Sequence, residues 1–227
     1  MFENIGKGSV VAEGIFERFP ELKPAVGEKY ISNEHNRMLI IGESNYLDDS
    51  YMSQCDFKNA EKWYRDSKAK LIPKEKVSAF SNWVGPYKKY NDPFGNLFNS
   101  IRSVLQGFGK TCNQYVLQET AYYNYFLRPA SINVKGYSFK KDCKPIDREV
   151  SGMALCGIIE QMKPDIVVFA SRYAFIEFSK YIRIKGFQTK IKIDFVNHPS
   201  NNFQCWKKDN GAKKFETLMK QYFIRQS

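Results

Sequence analysis

The sequence predicts an α/β protein with a three-layer α/β/α architecture around a central, mostly parallel sheet of four strands. Three observations lead to this fold. Short apolar runs alternate along the chain with longer segments whose apolar residues recur at helical spacing. Strands that alternate with helices form a parallel sheet covered on both faces. No internal repeat or low-complexity linker interrupts the 227 residues, so a single domain over residues 1–227 is expected.

Four runs are predicted as strands. Residues 38–42 are apolar and end at a glycine, as expected of a buried strand. Residues 120–127 are aromatic and β-prone, and an Arg-Pro pair closes this run. Residues 165–170 form the third strand. Residues 190–196 alternate charged and apolar side chains, which predicts a strand nearer the edge of the sheet.

Helices are predicted between and beside these strands. In the clearest case, apolar side chains share one face of residues 147–162, with Asp147 as a possible cap and Pro164 as the stop. The other helical segments are 11–18, 56–70 and 76–90 (helices or a helical excursion), 96–105, 172–184 and 211–223.

Composition narrows the class of protein. Apolar residues make up 43% and aromatic residues 15% of the chain, which indicates a folded core. No apolar run is long enough to span a bilayer and the start has no signal-peptide pattern, so a cytoplasmic protein without membrane contact is expected. The five cysteines are scattered without a C-x-x-C pair, so neither a disulfide framework nor a metal or other cofactor is expected.

The charge balance indicates a polyanionic partner. Lys and Arg number 35 against 24 Asp and Glu, a net charge of +11. Such an excess attracts nucleic acid over a long range, although it also serves solubility. Basic residues concentrate at 135–144 and 207–220, which we expect to be loops or a tail around a site. We expect a monomer that binds nucleic acid, DNA in preference to RNA.

The ends of the predicted strands are the place to look for a site, because ligands of parallel sheets bind beyond the carboxyl ends of the strands. This rule directs attention to the four segments 42–49, 124–129, 170–172 and 197–202, three of which are unusually polar. His198 follows the last strand, where an imidazole can donate a hydrogen bond to an oxygen that gains charge. An exposed turn histidine is the alternative.

The first and second strand ends add a carboxylate and a carboxamide. Glu43, directly after Gly42, is a candidate general base or water-orienting group. An ordinary loop in which Ser44 or Asn45 caps the next helix is the alternative. Asn124 lies in the aromatic strand and offers both a donor and an acceptor, as the edge of uracil or cytosine requires. Bonding to neighbouring backbone would also satisfy it.

Taken in order, these motifs resemble the uracil-DNA glycosylase superfamily over roughly residues 37–202. The motifs are GESNY at 42–46, DPFGNLF at 92–98, YNYFLRP at 123–129 and NHPSN at 197–201. The third of them, with the helix and strand at 149–171, is similar to the thermophilic and bacterial branch. The resemblance implies a DNA glycosylase that flips uracil or a related damaged base out of DNA and hydrolyses its N-glycosidic bond.

The resemblance also implies roles for particular residues. Phe94 (or Phe98) would stack on the flipped base, Asn124 would read its Watson–Crick edge, and Tyr46 would exclude a thymine methyl. The catalytic set would be Glu43, Ser44 and His198, with His198 bonding the departing base. Phe203 or Trp206 would wedge into the gap left by the flipped nucleotide. The other expected nucleic-acid contacts are Ser200, Asn201, Arg128, Lys207 and Lys208.

Departures from the family pattern keep two alternatives open. Ser44 stands where the best-known branch has an Asp that positions the attacking water, which favours a catalytically impaired nucleic-acid-binding protein of the same fold. The extra charged residues at 47–90 make the spacing between the first motif and the stacking Phe longer than is usual in the family. The N-terminal cysteine pair of the iron–sulfur branch is absent. The second alternative is an esterase-like hydrolase built on Ser44, His198 and Asp194 or another acid, although Tyr46 occupies the position of the second glycine of a nucleophile elbow.

Overall fold

The computed structural model describes residues 2, 4–7, 14–47, 58–65, 103, 106–107, 116–131, 139–197 and 210–225, with the backbone alone at 46–47, 116–117 and 131. The strands are β1 (Ala25–Val26), β2 (Met38–Leu47), β3 (Ala121–Ser131), β4 (Ile166–Phe169) and β5 (Lys192–Phe195). The α-helices are α1 (Ile15–Arg18), α2 (Ala60–Arg65), α3 (Pro145–Met162), α4 (Arg172–Lys185) and α5 (Gly211–Leu218). Short 3₁₀ helices lie at Pro20–Leu22, Val116–Glu119 and Phe139–Lys141, and a π-helix at Met219–Phe223 continues α5.

The strands form one mixed sheet in the order β1-β3-β2-β4-β5. The pairs β3–β2, β2–β4 and β4–β5 are parallel, whereas β1 pairs with β3 in the antiparallel sense. The prediction of four strands was therefore wrong by one, because β1 is two residues long and carries no periodic signal that a sequence could show. The edge position predicted for the last strand is confirmed for β5.

Helices cover both faces of the sheet, as the α/β prediction requires. On one face, Leu39, Ile41 and Phe169 belong to a large buried cluster that includes residues of α1, α3 and α4. On the other, Met38 and Val168 belong to a second cluster with residues of α5 and the π-helix. Neighbouring residues of one strand point to opposite faces, so the continuous apolar runs of β2 and β4 supply both clusters.

The local signals at α3 and α4 explain where these helices begin and end. Pro145 occupies the first position of α3, where its missing N–H costs nothing, and the predicted cap Asp147 lies two residues further in. Lys163 ends α3 in the left-handed region, with φ 48°. Ser171 caps α4 by accepting a hydrogen bond from the Ala174 N–H at 3.2 Å, and Gly186 ends it with φ 65°.

Candidate functional site

The strand order predicts a ligand site at the carboxyl end of β2. The chain runs from β2 to β3 on one side and then returns to β4 on the other side, so the direction of winding reverses at β2. In doubly wound sheets this reversal opens the ligand crevice beyond the carboxyl ends of the strands on either side of it. The segments that end there are Gly42–Leu47 of β2, Asn124–Ser131 of β3 and Ala170–Ser171 after β4.

A buried amide network lies on β2 and β3, just beyond the level at which β4 ends. The Tyr122 hydroxyl donates to Oδ1 of Asn124 at 2.8 Å. Nδ2 of Asn124 donates to Oδ1 of Asn45, also at 2.8 Å, and so joins β3 to β2. All three side chains are buried, with Tyr122 1% exposed and both asparagines 6%. The structure thus provides side-chain partners for the buried carboxamide of Asn124.

Gly42 allows this network to lie against β2. Gly42 pairs with Asn124 in the sheet register. A Cβ at position 42 would overlap the Tyr122 hydroxyl and Oδ1 of Asn124. The absence of a side chain at Gly42 therefore lets the hydroxyl and the carboxamide approach the strand backbone.

Glu43 leaves β2 on the opposite face. Successive side chains of a strand alternate in direction, and the contacts of Glu43 agree with this rule. One carboxylate oxygen accepts from the Phe139 N–H at 3.0 Å, and the other accepts from the Ser171 hydroxyl at 2.6 Å. Glu43 thus joins the short 3₁₀ helix before α3, which contains Phe139, to Ser171, the N-cap residue of α4. Glu43 therefore has a structural role, and its role as a general base stays a prediction.

Ser44 lies between Glu43 and Asn45 in β2, next to the irregularity in the β2–β3 register. The side chain is buried, and its Oγ has no hydrogen-bond partner among the residues that the structure describes. A buried hydroxyl without a partner costs about 1–3 kcal/mol. Such a group at the carboxyl end of a central strand is a candidate to bond a ligand or a water molecule.

The prediction that Arg128 contacts nucleic acid is wrong. Its side chain is 0% exposed, and its guanidinium pairs with Asp147 at 2.8 Å and with Asp142 at 2.7 Å. Burial disfavours the charged guanidinium, but the hydrogen bonds of Asp147 and Asp142 outweigh burial and raise the pKa of Arg128 above its usual value. Because this cation lies inside the protein, it fastens the end of β3 to the start of α3 and is not available to a phosphate.

The esterase alternative finds no support in the position of Asp194. This carboxylate lies on the edge strand β5, where it accepts from Lys214 at 2.7 Å and contacts Lys192 at 3.3 Å. Asp194 is level with Val168 of β4, which is level with Ile40 of β2. Asp194 is therefore two strands away from Ser44 and four residues short of it along the sheet.

Several predicted site residues lie outside the described part of the chain. For Tyr46 the structure describes the backbone, which pairs with Ala130 after an irregularity in the β2–β3 register. The predicted residues outside the described ranges are Phe94, Phe98, His198, Ser200, Asn201, Phe203, Trp206, Lys207 and Lys208. Their predicted roles stay predictions.

The sequence analysis missed three residues that build the described site. Tyr122 and Asn45 hold Asn124, and Ser171 holds Glu43. A signal existed for Tyr122, because residues two apart on a strand share a face. Asn45 and Ser171 lie at strand ends that the sequence analysis considered, but no local pattern signals their contacts, since Asn45 lies 79 residues from Asn124 and Ser171 lies 128 residues from Glu43.

Comparisons with known proteins assign no family to the chain. Within the described ranges, no group of three or more His, Cys, Asp or Glu side chains is placed to hold a metal ion, and no helix is long and apolar enough to cross a membrane. No protein-family model and no curated protein matches the sequence.

Proposed function

We propose that the protein is a DNA glycosylase of the uracil-DNA glycosylase kind, which binds uracil or a related damaged base flipped out of DNA and hydrolyses its N-glycosidic bond. One observation carries the proposal: a buried carboxamide, Asn124, is held by two side chains just beyond the level at which β4 ends. A carboxamide pairs with the adjacent donor and acceptor on the edge of a pyrimidine. Because the geometry is formed before a ligand binds, little ordering is needed on binding.

The reaction needs few groups from the protein. The bond between the sugar carbon and the base nitrogen breaks, water supplies the oxygen of the new carbon–oxygen bond, and the proton of that water ends on the base or in solvent. Hydrogen bonds to the base oxygens lower the free energy of the departing anion. In the proposed mechanism Asn124 and His198 supply these hydrogen bonds, and Ser44 bonds the attacking water.

The net charge supports a nucleic-acid substrate. At +11 the chain attracts the phosphate backbone, and a protein that neutralises phosphates binds less tightly as the salt concentration rises. We expect the affinity for a DNA oligonucleotide to fall steeply between 50 and 200 mM salt, measured by fluorescence anisotropy. An affinity independent of salt would speak against DNA as the partner.

A second function, DNA binding without base release, is favoured by the position of Glu43. Both of its carboxylate oxygens accept hydrogen bonds, and the side chain leaves β2 on the face opposite Asn124. The site of Asn124 therefore gains no water-orienting carboxylate from Glu43. A protein of this kind would flip and hold a base but release none.

The deciding experiment measures base release. Oligonucleotides with a single uracil, single- and double-stranded, are incubated with excess protein, and abasic sites are cleaved with alkali. We expect strand cleavage that Asn124→Ala lowers at least tenfold, because a buried hydrogen-bonding group is lost. The matched control is Asn33→Ala at an exposed asparagine remote from the site, which should leave the rate unchanged. No cleavage at uracil or at other deaminated or alkylated bases, with DNA binding retained, would replace the first proposal by the second.

A further inference from the structure

We infer that His35 is a pH-sensitive latch for the C-terminal segment, residues 222–225. The imidazole holds this segment against the start of β2 while it carries a proton on both ring nitrogens, and it loosens the segment when it loses one of them. The inference does not depend on the proposed function. It assigns a role to a buried histidine that lies at the end of β2 opposite to the candidate site.

Both nitrogens of the His35 ring face oxygen atoms that accept hydrogen bonds and cannot donate them. Nε2 lies 2.9 Å from a carboxylate oxygen of Glu119, and Nδ1 lies 3.0 Å from the carbonyl oxygen of Asn36. The hydrogen bond from His35 is the largest of the effects that lower the pKa of Glu119, so this carboxylate is ionised at neutral pH. A neutral imidazole has one N–H group and the imidazolium ion has two. The imidazolium is therefore the form that satisfies both partners.

The ring is closed off from water, so a lost donor is not replaced. Its side chain is 3% exposed, and it stacks on the ring of Phe223 with the centroids 4.6 Å apart. When one proton leaves, a nitrogen lone pair faces either the Glu119 carboxylate or the Asn36 carbonyl, depending on the tautomer. Two acceptors that face each other in a buried place are destabilising. Deprotonation therefore weakens one of the two contacts in either tautomer.

Asn36 connects the ring to the C-terminal segment. The N–H of Asn36 donates to the carbonyl oxygen of Phe223 at 2.8 Å, and its Nδ2 donates to the carbonyl oxygen of Tyr222 at 2.8 Å. His35 itself pairs with Ile224 in an antiparallel bridge. The contacts of the segment thus converge on His35 and on the residue whose carbonyl oxygen the ring bonds. A change in the charge of the ring is felt directly at these contacts.

The elements around the ring carry other charged side chains, which titrate in a different pH range. These side chains are Lys29, Glu34, Arg37, Asp165, Lys220 and Arg225. Carboxyl groups ordinarily titrate at about pH 4 and lysine and arginine above about pH 10, whereas histidine titrates between these values. Lys29 contacts the second oxygen of Glu119 at 3.5 Å, so the carboxylate keeps a cation when His35 loses its proton. The hold on the segment is therefore complete where the ring is charged and is lost as the pH rises through the titration of the ring.

The test follows the ring and the segment in the same samples between pH 5 and pH 9. The protonation state of the ring is read from the nitrogen chemical shifts of isotope-labelled histidine. The chain has two histidines, so the variant His198→Ala assigns the signal of His35. The hold on the segment is read from the hydrogen-exchange protection factors of the Asn36 and Ile224 amides, which are hydrogen-bonded. Protection factors already correct for the intrinsic pH dependence of exchange, and the Val168 amide of β4 is the internal reference.

Two variants separate the latch from a general effect of charge. In Glu119→Gln the new carboxamide can turn and donate to a neutral imidazole, so deprotonation should no longer leave two acceptors face to face. The matched control is Asp165→Asn, which removes the charge of a carboxylate that bonds Arg37 instead of His35. Thermal unfolding at pH 5 shows whether each variant keeps the fold. The wild type alone suffices for the test if a variant does not fold.

We expect the protection of Asn36 and Ile224 to fall about tenfold in the wild type, at the same pH at which the ring loses its proton. Asp165→Asn should show the same fall, and Glu119→Gln should show none. Protection that stays constant while the ring titrates would overturn the latch. A ring that keeps one protonation state from pH 5 to pH 9, or an equal fall in Glu119→Gln, would overturn it as well.

Discussion

At Gly42 a hydrogen atom stands where any other residue would carry a side chain, and the candidate site depends on it. The Tyr122 hydroxyl and the Asn124 carboxamide occupy the space beside it. Strand interiors disfavour glycine, because it loses more conformational entropy on folding and has no side chain to pack. Its presence in β2 is therefore explained by the close approach of β3 side chains rather than by the preference of the strand.

We predict that Gly42→Ala destabilises the protein by about 1–3 kcal/mol, since the new methyl group must displace the buried amide network. Urea unfolding followed by fluorescence measures this loss. The control is Gly107→Ala, where a Cβ would meet nothing within 4 Å. Because Gly107 is helical, the control should be neutral or should stabilise the protein by about 0.5–1 kcal/mol. Equal effects of the two substitutions would contradict the close packing at Gly42.

At the scale of elements, Arg128 connects the end of β3 with the start of α3. Its guanidinium bonds Asp147 through both Nε and Nη2, and Asp147 also accepts from the Lys144 N–H at 2.8 Å. The same carboxylate thus serves the buried cation and the first turn of the helix. The Phe139 ring lies against the guanidinium, with its centroid 5.0 Å away.

Arg128→Met is predicted to destabilise the protein by about 3–5 kcal/mol, because it leaves two carboxylates without their buried partner. The midpoint of urea unfolding is the measurement. Arg65→Met serves as the control, since Arg65 pairs with Glu61 at 2.6 Å on the exposed face of α2. An exposed pair of this kind contributes about 0.3–0.5 kcal/mol. A loss at Arg128 as small as the loss at Arg65 would refute the structural role.

A second contact between elements joins α3 to α4 at Gly152. A Cβ at this position would overlap the ring of Tyr181, so the aromatic ring lies directly on the helix backbone. In an exposed helix alanine is favoured over glycine by about 1 kcal/mol, and sequence reasoning alone would therefore recommend the substitution. The packing of α4 reverses that preference.

Gly152→Ala should lower the unfolding free energy by about 1–3 kcal/mol despite the better helix propensity of alanine. Thermal unfolding of the variant measures this change. Removing the ring in the double variant Gly152→Ala/Tyr181→Ala should cost less than the sum of the two single changes, because the clash is relieved. Strict additivity of the two changes would show that the ring and the glycine are not in contact.

At the scale of the whole molecule, contacts between ionisable side chains join distant segments of the chain to one another. Glu119 lies 2.9 Å from Nε2 of His35, whose ring stacks on Phe223 of the π-helix. Asp165, at the start of β4, pairs with Arg37 at 3.1 Å. Asp194 of β5 pairs with Lys214 of α5. Each pair joins segments that are far apart in the sequence.

These pairs shift the pKa values of three carboxyl groups below the usual range. The hydrogen bond from His35 lowers the pKa of Glu119, and burial raises it less. For Asp165 and Asp194, burial raises the pKa, but the hydrogen bonds from Arg37 and Lys214 outweigh it. A lowered pKa means that the stabilisation is complete above the pKa of the unfolded chain, about 4, and is lost as the pH falls through the folded value.

We therefore predict that the free energy of unfolding decreases as the pH falls from 6 to 3, measured by urea unfolding at constant ionic strength. Glu119→Gln should make this decrease shallower. Glu21→Gln should make it steeper, because burial raises the pKa of Glu21 and its contribution has the opposite sign. A decrease that neither substitution changes would contradict the assignment.

The sequence by itself determined the α/β class and the elements whose signal is local. Predicted segments 147–162 and 172–184 became Pro145–Met162 and Arg172–Lys185, and the four predicted strands were found. Periodicity repeats within a few residues, so a sequence displays it directly. The polar strand ends that drew attention to Gly42, Glu43 and Asn124 were likewise visible, because they interrupt apolar runs.

Tertiary structure decided everything that depends on partners. Whether Arg128 faces solvent or two carboxylates, and whether Glu43 joins Phe139 and Ser171, depends on which segments lie side by side. The two-residue strand β1 is defined by its antiparallel pairing with β3, which depends on the tertiary structure. A buried polar group takes its role from long-range neighbours that satisfy its hydrogen bonds, and no local pattern encodes which neighbours those are.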